Sequence, residues 1–217
     1  MGNLKSAIVF GSTGLIGSYV LRQLLSDERY GEVKIFVRKS TGIKHPKLDE
    51  FIIDFEQLEN YRDKIKCDDL FCCLGTTIKV AGSQANFRRV DYEWVRWCAV
   101  AASENKVKNF LVISSLGADA DSMNFYYRVK GEMEKAVSAL KFEKCVILRP
   151  SMLLGKRNEF RLGELAGKIV MVGLSFLIPR KYKAIKAEVV ARAMIKSAND
   201  ETVNGILESD VIRRLGK

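Results

Sequence analysis

The residues with the clearest chemical use are a serine pair, a tyrosine and a lysine in the middle of the chain. Ser114 and Ser115 end a short apolar run, and Tyr126 and Lys130 follow with i to i+4 spacing, which puts both side chains on one helix face. An ammonium beside a phenol favours the phenolate, so Tyr126 can exchange a proton with a substrate oxygen that Ser115 hydrogen-bonds. These side chains therefore predict general acid–base chemistry. Tyr127, the alternative phenol, would point off the Lys130 face and is assigned to packing.

A glycine-rich turn near the amino terminus is the second signal. It lies between an apolar run and a helical pattern, and its residues are Gly11, Ser12, Thr13, Gly14, Leu15, Ile16 and Gly17. The first glycine permits a tight turn, the second lets backbone approach a pyrophosphate, and the third lets helix and strand pack closely. The helix amino terminus then offers free N–H groups to phosphates. The turn predicts a dinucleotide site, and the lack of a following Lys-Ser/Thr pair disfavours a P-loop NTPase.

The end of the second apolar strand indicates which dinucleotide binds. NAD sites usually carry an acidic residue there, about 20 residues past the glycine loop, to bind the ribose hydroxyls. This chain has Arg38 and Lys39 instead. Two cations suit a 2′-phosphate, so NADP(H) is preferred over NAD(H), although both residues could be exposed loop charges. Further cofactor contacts are predicted at later strand ends. Asp54, beside Phe55, is placed to accept from the adenine amine, and Leu74, Gly75 and Thr76 should pass close to the adenosine ribose. Ser114 is a further predicted contact.

A bound nicotinamide would give the acid–base residues a specific role. Tyr126 would exchange its proton while hydride moves to or from the cofactor, and Lys130 would also hold the nicotinamide ribose.

The apolar segments predict the order of the elements that position these residues. Strands are predicted at 7–10, 33–37, 51–53, 70–74, 110–113, 146–148 and 205–207, and helices at 18–25, 91–103, 126–140 and 187–198. Continuous apolar strands are typical of sheets buried on both faces. Their alternation with helices predicts an α/β, Rossmann-type doubly wound parallel sheet with helices on both faces. We expect one domain over 1–217, in which 150–186 and the C-terminal segment form a small substrate-side lobe.

Composition disfavours several other classes of protein. Five cysteines without a C-x-x-C pair argue against disulfide scaffolds and zinc sites, and the single histidine, His45, argues against a Ser-His-Asp triad, so no metal site is predicted. Reduced thiols and the lack of a signal-peptide pattern predict a cytoplasmic location. The longest apolar run, 169–178, is shorter than the roughly 20 residues of a membrane span. The net charge of +10 is spread along the chain, which favours a solvated surface over nucleic-acid binding.

The ordered motifs resemble the short-chain dehydrogenase/reductase superfamily, in particular its atypical, NmrA-like and Tat-interacting-protein-like NAD(P)-binding branch. The resemblance rests on the glycine loop, the tract 114–134 and the tract 148–155, and it covers nearly the whole chain. It implies that backbone at Pro150 and from Ser151 to Leu153 borders the nicotinamide, and that Arg161 reaches the cofactor. The alternative for Arg161 is a salt bridge to Glu164.

Two functions fit these observations. The first is an NADP(H)-dependent oxidoreductase of a small carbonyl or alcohol substrate, with Tyr126 as the acid/base. The second is a redox-sensing or regulatory protein that binds NADP(H) with little or no turnover. The tract after Pro150 is short for a sugar-nucleotide epimerase, which argues against a large nucleotide-sugar substrate. A homodimer or a regulatory protein partner is compatible with Trp94 and Trp97 on one predicted helix, although core packing explains Trp94 equally well.

Overall fold

A computed structural model describes residues 4–155 and 179–217. Their strands are β1 (Lys5–Phe10), β2 (Tyr30–Val37), β3 (Leu48–Ile52), β4 (Asp69–Cys72), β5 (Asn109–Ile113), β6 (Lys144–Arg149), β7 (Leu153–Leu154), β8 (Ile185–Lys186) and β9 (Gly205–Glu208). The α-helices are α1 (Gly17–Ser26), α2 (Ile78–Ala81), α3 (Gln84–Arg88), α4 (Trp94–Glu104), α5 (Phe125–Ser138), α6 (Ala187–Asn199) and α7 (Ser209–Leu215). A 3-10 helix covers Phe55–Lys64, and a π-helical turn covers Arg89–Glu93.

Seven strands form one parallel sheet in the order β3-β2-β1-β4-β5-β6-β9. The strand order reverses between β1 and β4, which opens a crevice at the carboxyl ends of these two strands. The predicted doubly wound parallel sheet is therefore confirmed, and the glycine loop follows β1 at this crevice.

Both faces of the sheet are buried because successive side chains of a strand point to opposite sides. In β1, Ala7 and Val9 join the core under α1 and α6, whereas Ile8 and Phe10 join the core under α4 and α5. The continuous apolar runs of the sequence follow directly from this double burial.

The connections on either side of β3 contain no α-helix, and the sequence predicted none there. A loop joins β2 to β3, and the 3-10 helix joins β3 to β4, where a doubly wound sheet commonly has α-helices. The third strand, predicted at 51–53, runs over Leu48–Ile52, because pairing with β2 begins at Leu48 opposite Val33. This edge strand is half-polar, so its amino-terminal part carries no apolar run in the sequence.

Residues of the 3-10 helix contact both tryptophan side chains. The Phe55 ring lies 4.9 Å from that of Trp94, and the indole N–H of Trp97 donates to Glu59 at 2.5 Å. Both indoles are therefore used in packing within the chain. The predicted homodimer stays untested.

The small lobe is described only in part. Strand β7 pairs with β8, the Ser151 hydroxyl donates to the carbonyl of Lys183, and the Ser209 hydroxyl donates to Ser151 at 2.9 Å. These bonds hold 183–186 against the segment that follows β6. Arg161 and the apolar run 169–178 lie outside the described residues. Within 4–155 and 179–217, no helix has the length and apolar character to cross a membrane.

Candidate functional site

The glycine loop is closed by contacts that leave no room for side chains at two positions. Gly11 has a φ of 72°, and a Cβ there would lie 2.5 Å from the carbonyl oxygen of Cys73. A Cβ on Gly17 would lie 2.1 Å from the carbonyl oxygen of Gly11. These approaches seat α1 directly on the end of β1, as the close packing of a dinucleotide loop requires.

The same loop offers an unpaired hydroxyl near the amino end of α1. The Ser12 hydroxyl is buried and has no hydrogen-bond partner among the described residues. Ile16, the residue before the helix, gives no side-chain cap to the first turn. A Cβ on Gly14 would meet only one atom within 4 Å, so that side of the loop is open. A buried, unpaired hydroxyl beside an open glycine at a helix amino terminus fits a pyrophosphate.

The two cations after β2 are exposed and lie in no ion pair within the part of the chain that the structure describes. The loop that follows them is held by Glu50 of β3. That carboxylate accepts from the Thr41 backbone N–H at 2.9 Å and from the Ser40 hydroxyl at 2.5 Å. Arg38 and Lys39 are thus carried on a fixed loop and remain available to an anion.

The residues predicted for the adenosine side have mixed roles. Asp54 accepts from the Glu56 N–H at 2.9 Å and so caps the 3-10 helix. The Phe55 and Leu74 side chains are buried in the core, which leaves their backbone to a cofactor. β4 ends at Cys72, two residues earlier than predicted, so Leu74, Gly75 and Thr76 lie in the loop at the crevice.

Tyr126 and Lys130 lie on α5, as their spacing predicts. The ring of Tyr126 packs 5.5 Å from that of Phe87. The Lys130 ammonium is 2.8 Å from Oδ1 of Asp91 and 3.4 Å from the carbonyl oxygen of Ile113. Burial lowers the pKa of Lys130, but Asp91 and Tyr126 outweigh burial and hold the pKa above its usual value. Lys130 is therefore a fixed cation one helical turn from the Tyr126 phenol.

Tyr127 faces a different part of the site. Its side chain is partly exposed, and its ring covers Gly117, where a Cβ would come within 3.1 Å of the ring. The ring therefore packs on the loop after β5.

The two serines after β5 point in different directions. The buried Ser114 hydroxyl donates to Glu134, which also accepts from Nε of Arg149 at 2.9 Å. The Ser114 side chain is thus used within the protein, and its contact with a cofactor stays a prediction. Ser115 is half-buried and bonds only weakly to the Leu116 carbonyl, at 3.3 Å. Its hydroxyl is the one available to a substrate oxygen.

The segment after β6 lies close to the glycine loop. The Pro150 carbonyl accepts from the Leu116 N–H at 3.0 Å, which joins it to the loop after β5. A Cβ on Gly155 would lie 2.5 Å from Cδ1 of Leu15. Residues 150–155 therefore run between the loop after β5 and the glycine loop. The Ser151 hydroxyl donates to the Lys183 carbonyl.

Sequence reasoning missed Asp91. Its carboxylate is 1% exposed, forms an ion pair with Lys130 through Oδ1, and accepts from the Thr76 N–H through Oδ2 at 2.8 Å. The available signal was an acidic residue among apolar neighbours of the predicted helix 91–103. The π-helical turn that directs it inward is not visible in the sequence.

Comparisons with known proteins show the class of domain and the relatives of this chain. A family model described as NAD(P)H-binding matches residues 11–201. Protein HTATIP2 of Rattus norvegicus is 32% identical over 98% of this chain and 90% of its own length. The mitochondrial protein FMP52 of Debaryomyces hansenii is 31% identical over 97% of this chain and 94% of its own length.

Solved structures share the fold at low sequence identity. A UDP-N-acetylglucosamine 4-epimerase from Methanobrevibacter ruminantium superposes with a TM-score of 0.73 at 18% identity, over 99% of this chain and 81% of its own. MoeE5 in complex with UDP-glucose and NAD gives a TM-score of 0.70 at 16% identity, over 95% of this chain and 79% of its own. These similarities show the fold alone.

The comparisons also correct the predicted location. Relatives from Debaryomyces hansenii and Aspergillus niger are named as mitochondrial, so the prediction of a cytoplasmic location is wrong. Free cysteines argue against an oxidising compartment but do not distinguish one reducing compartment from another. Sequence and structure together show that the chain belongs to the NmrA-like, Tat-interacting-protein-like NAD(P)H-binding family of atypical short-chain dehydrogenases/reductases.

Proposed function

We propose that this protein is an NADPH-dependent reductase that acts on a small carbonyl compound. The observation that carries the proposal is the buried Lys130 ammonium behind Tyr126, on a helix at the carboxyl edge of the sheet that also bears the glycine loop. A buried cation beside a phenol suits a residue that must give up a proton and regain it. The NAD(P)H-binding family supports the cofactor class.

Each side chain has a distinct role in the proposed reaction. The glycine loop and Lys130 would hold a nicotinamide dinucleotide, which would supply the hydride for the carbonyl carbon. The Tyr126 hydroxyl gives its proton to the carbonyl oxygen, and the Ser115 hydroxyl donates to the same oxygen and fixes its position. The Lys130 ammonium stabilises the resulting phenolate and holds the nicotinamide ribose.

Preference for NADPH rests on charge at the end of β2. The 2′-phosphate would meet Arg38 and Lys39 on the loop that Glu50 fixes, and no acidic residue follows β2 to bind ribose hydroxyls. A planar guanidinium can bind a phosphate through two parallel hydrogen bonds, so Arg38 should contribute most.

Thermal-shift titration with NADPH and NADH, on wild type and Arg38→Ala, tests the cofactor. At 100 times its Kd a ligand stabilises the folded state by about 2.7 kcal/mol, which gives a clear shift. We expect the larger shift with NADPH and its loss in Arg38→Ala, with the NADH response unchanged. No shift with either nucleotide would contradict the proposal.

Turnover is tested on a panel of small aldehydes and ketones by NADPH absorbance. Tyr126→Phe should reduce kcat by about 100-fold or more while NADPH still binds, because it removes the proton donor. Tyr127→Phe is the matched control and should retain activity. NADPH binding without turnover of any panel member would favour the redox-sensing or regulatory alternative.

A further inference from the structure

A buried ion pair lies behind the proposed catalytic tyrosine. The side chains of Asp91 and Lys130 are 1% and 5% exposed, and Oδ1 and Nζ are 2.8 Å apart. A buried charge is tolerated only when it is paired and hydrogen-bonded, so each partner depends on the other. Tyr126, one helical turn before Lys130, is among the groups that favour the charge of this lysine.

The backbone at Asp91 is specialised. Residues Arg89–Glu93 form a π-helical turn, in which the Trp94 N–H donates to the carbonyl of Arg89. Single π turns are rare and concentrate at functional sites, because the wider turn weakens the helix unless something compensates. Here the turn places a carboxylate between α5 and the loop after β4.

That carboxylate bonds in two directions at once. Oδ1 faces Lys130, and Oδ2 accepts from the Thr76 N–H at 2.8 Å. A Cβ on Gly75 would lie 3.3 Å from Oδ1 and 3.9 Å from Nζ, so the loop after β4 lies against the pair. Asp91 thus links the loop expected at the adenosine ribose to the lysine expected at the nicotinamide ribose.

Besides the Ile113 carbonyl of β5, three titratable groups face the Lys130 ammonium. They are Asp91 of the π turn, Tyr126 of α5 and the Cys72 thiol of β4. Burial opposes the charge of the lysine, and Asp91 is the strongest of the groups that favour it. Without the carboxylate, the buried ammonium would release its proton at a lower pH.

We propose that Asp91 is a positioning residue that keeps Lys130 charged and in place behind Tyr126, and that ties it to the Thr76 amide. The inference rests on the proposed function, because it assigns Asp91 to the same site. Asp91 touches neither hydride nor substrate oxygen and acts through Lys130.

The first test is Asp91→Asn in the full chain, with NADPH affinity measured by cofactor fluorescence and carbonyl reduction measured across a pH series. The amide oxygen can still accept from Thr76, so only the charge is lost. We expect NADPH affinity and kcat to fall about tenfold. The alkaline limit, the pH above which each of these quantities declines, should move lower by about one pH unit or more. Asp121→Asn, at an exposed site, is the matched control and should match wild type.

A double-mutant cycle with Lys130→Met separates action through the lysine from a structural effect. The effect of Asp91→Asn on NADPH affinity should disappear in the Lys130→Met background. An equal effect in both backgrounds, or a wild-type pH profile in Asp91→Asn, would overturn the inference while leaving the proposed function intact. Failure of wild type to bind NADPH would overturn both.

Asp91→Glu keeps the measurement possible if Asp91→Asn does not fold. It retains the charge but moves the carboxylate within a tight space beside Gly75. We expect the wild-type alkaline limit with a lower kcat. An alkaline limit shifted as far as that predicted for the uncharged variant would contradict the proposed role.

Discussion

At the scale of single residues, the space around each glycine decides what the loop can tolerate. A Cβ on Gly17 would meet the backbone of Gly11 and Ser12, which cannot move without opening the loop. A Cβ on Gly31 in β2 would instead lie 3.0 Å from Cβ and Cδ1 of Leu4, and this 62% exposed residue need shift by only a few tenths of an ångström. Replacement by alanine should therefore destabilise the protein more at Gly17 than at Gly31.

We predict that Gly17→Ala destabilises the protein by about 2–3 kcal/mol, because it overpacks a backbone contact. For a chain of this size that lowers Tm by about 4–12 °C. Thermal unfolding measures the change, and NADPH affinity should fall with it. Gly31→Ala is the control and should stay within about 0.5 kcal/mol of wild type. Equal Tm values for the two variants would refute the steric argument.

At the scale of elements, the first turn of α5 carries the proposed acid/base. Asn124 precedes the helix, and its Oδ1 accepts from the N–H groups of Tyr126 at 3.0 Å and Tyr127 at 3.4 Å. The cap satisfies donors that would otherwise have no partner in the helix. The cap therefore fixes the first turn of the helix, which carries the Tyr126 side chain.

Asn124→Ala should cost about 1 kcal/mol of stability and lower Tm by about 2–4 °C. Fraying of the first turn should also lower kcat, with little change in NADPH affinity. Asn124→Asp retains an acceptor and adds a favourable charge at the helix amino terminus, so it should match wild type or exceed its stability. Calorimetry and steady-state kinetics on the three proteins provide the check. Full activity in Asn124→Ala would argue against a positioning role for the cap.

At the scale of the whole molecule, the carboxyl and amino edges of the sheet, where the parallel strands end and begin, have different roles. The carboxyl edge bears the proposed site. The amino edge bears a buried polar network centred on Asp69, which is bonded by Lys5, Tyr30 and, at 2.7 Å, by Asn109. Asn199, which ends α6, donates to the Tyr30 hydroxyl at 3.0 Å. The network joins four strands and one helix far from the crevice.

Asp69→Asn should therefore reduce stability without changing the site. Loss of the buried carboxylate leaves Lys5 without its counter-charge, at a cost of about 2–3 kcal/mol. NADPH affinity below the unfolding temperature should remain at the wild-type value. Asp68→Asn is the neighbouring control and should destabilise the protein less. Asp68 is partly exposed, and the asparagine amide could still accept from Ser6. A loss of NADPH affinity in folded Asp69→Asn would contradict the separation of the two edges.

Much of this architecture is encoded in short stretches of sequence. The glycine loop, the Tyr126–Lys130 spacing and the positions of most strands along the chain are local patterns, since side-chain periodicity and turn requirements act over a few residues. For the same reason the sequence predicted a parallel sheet and the helix that carries the acid/base pair. The 3-10 helix and the short α2, α3 and α7 were missed because segments of this length hold too few apolar positions to show a period.

The tertiary structure decided the features that depend on contacts between distant segments. Asp91 pairs with Lys130 only because a π turn and α5 pack together at the carboxyl edge of the sheet. Packing also turns Ser114 inward to Glu134 and leaves Ser115 at the site. A buried charge or hydroxyl takes the partner that folding brings within hydrogen-bond distance, and that partner cannot be identified from spacing along the chain.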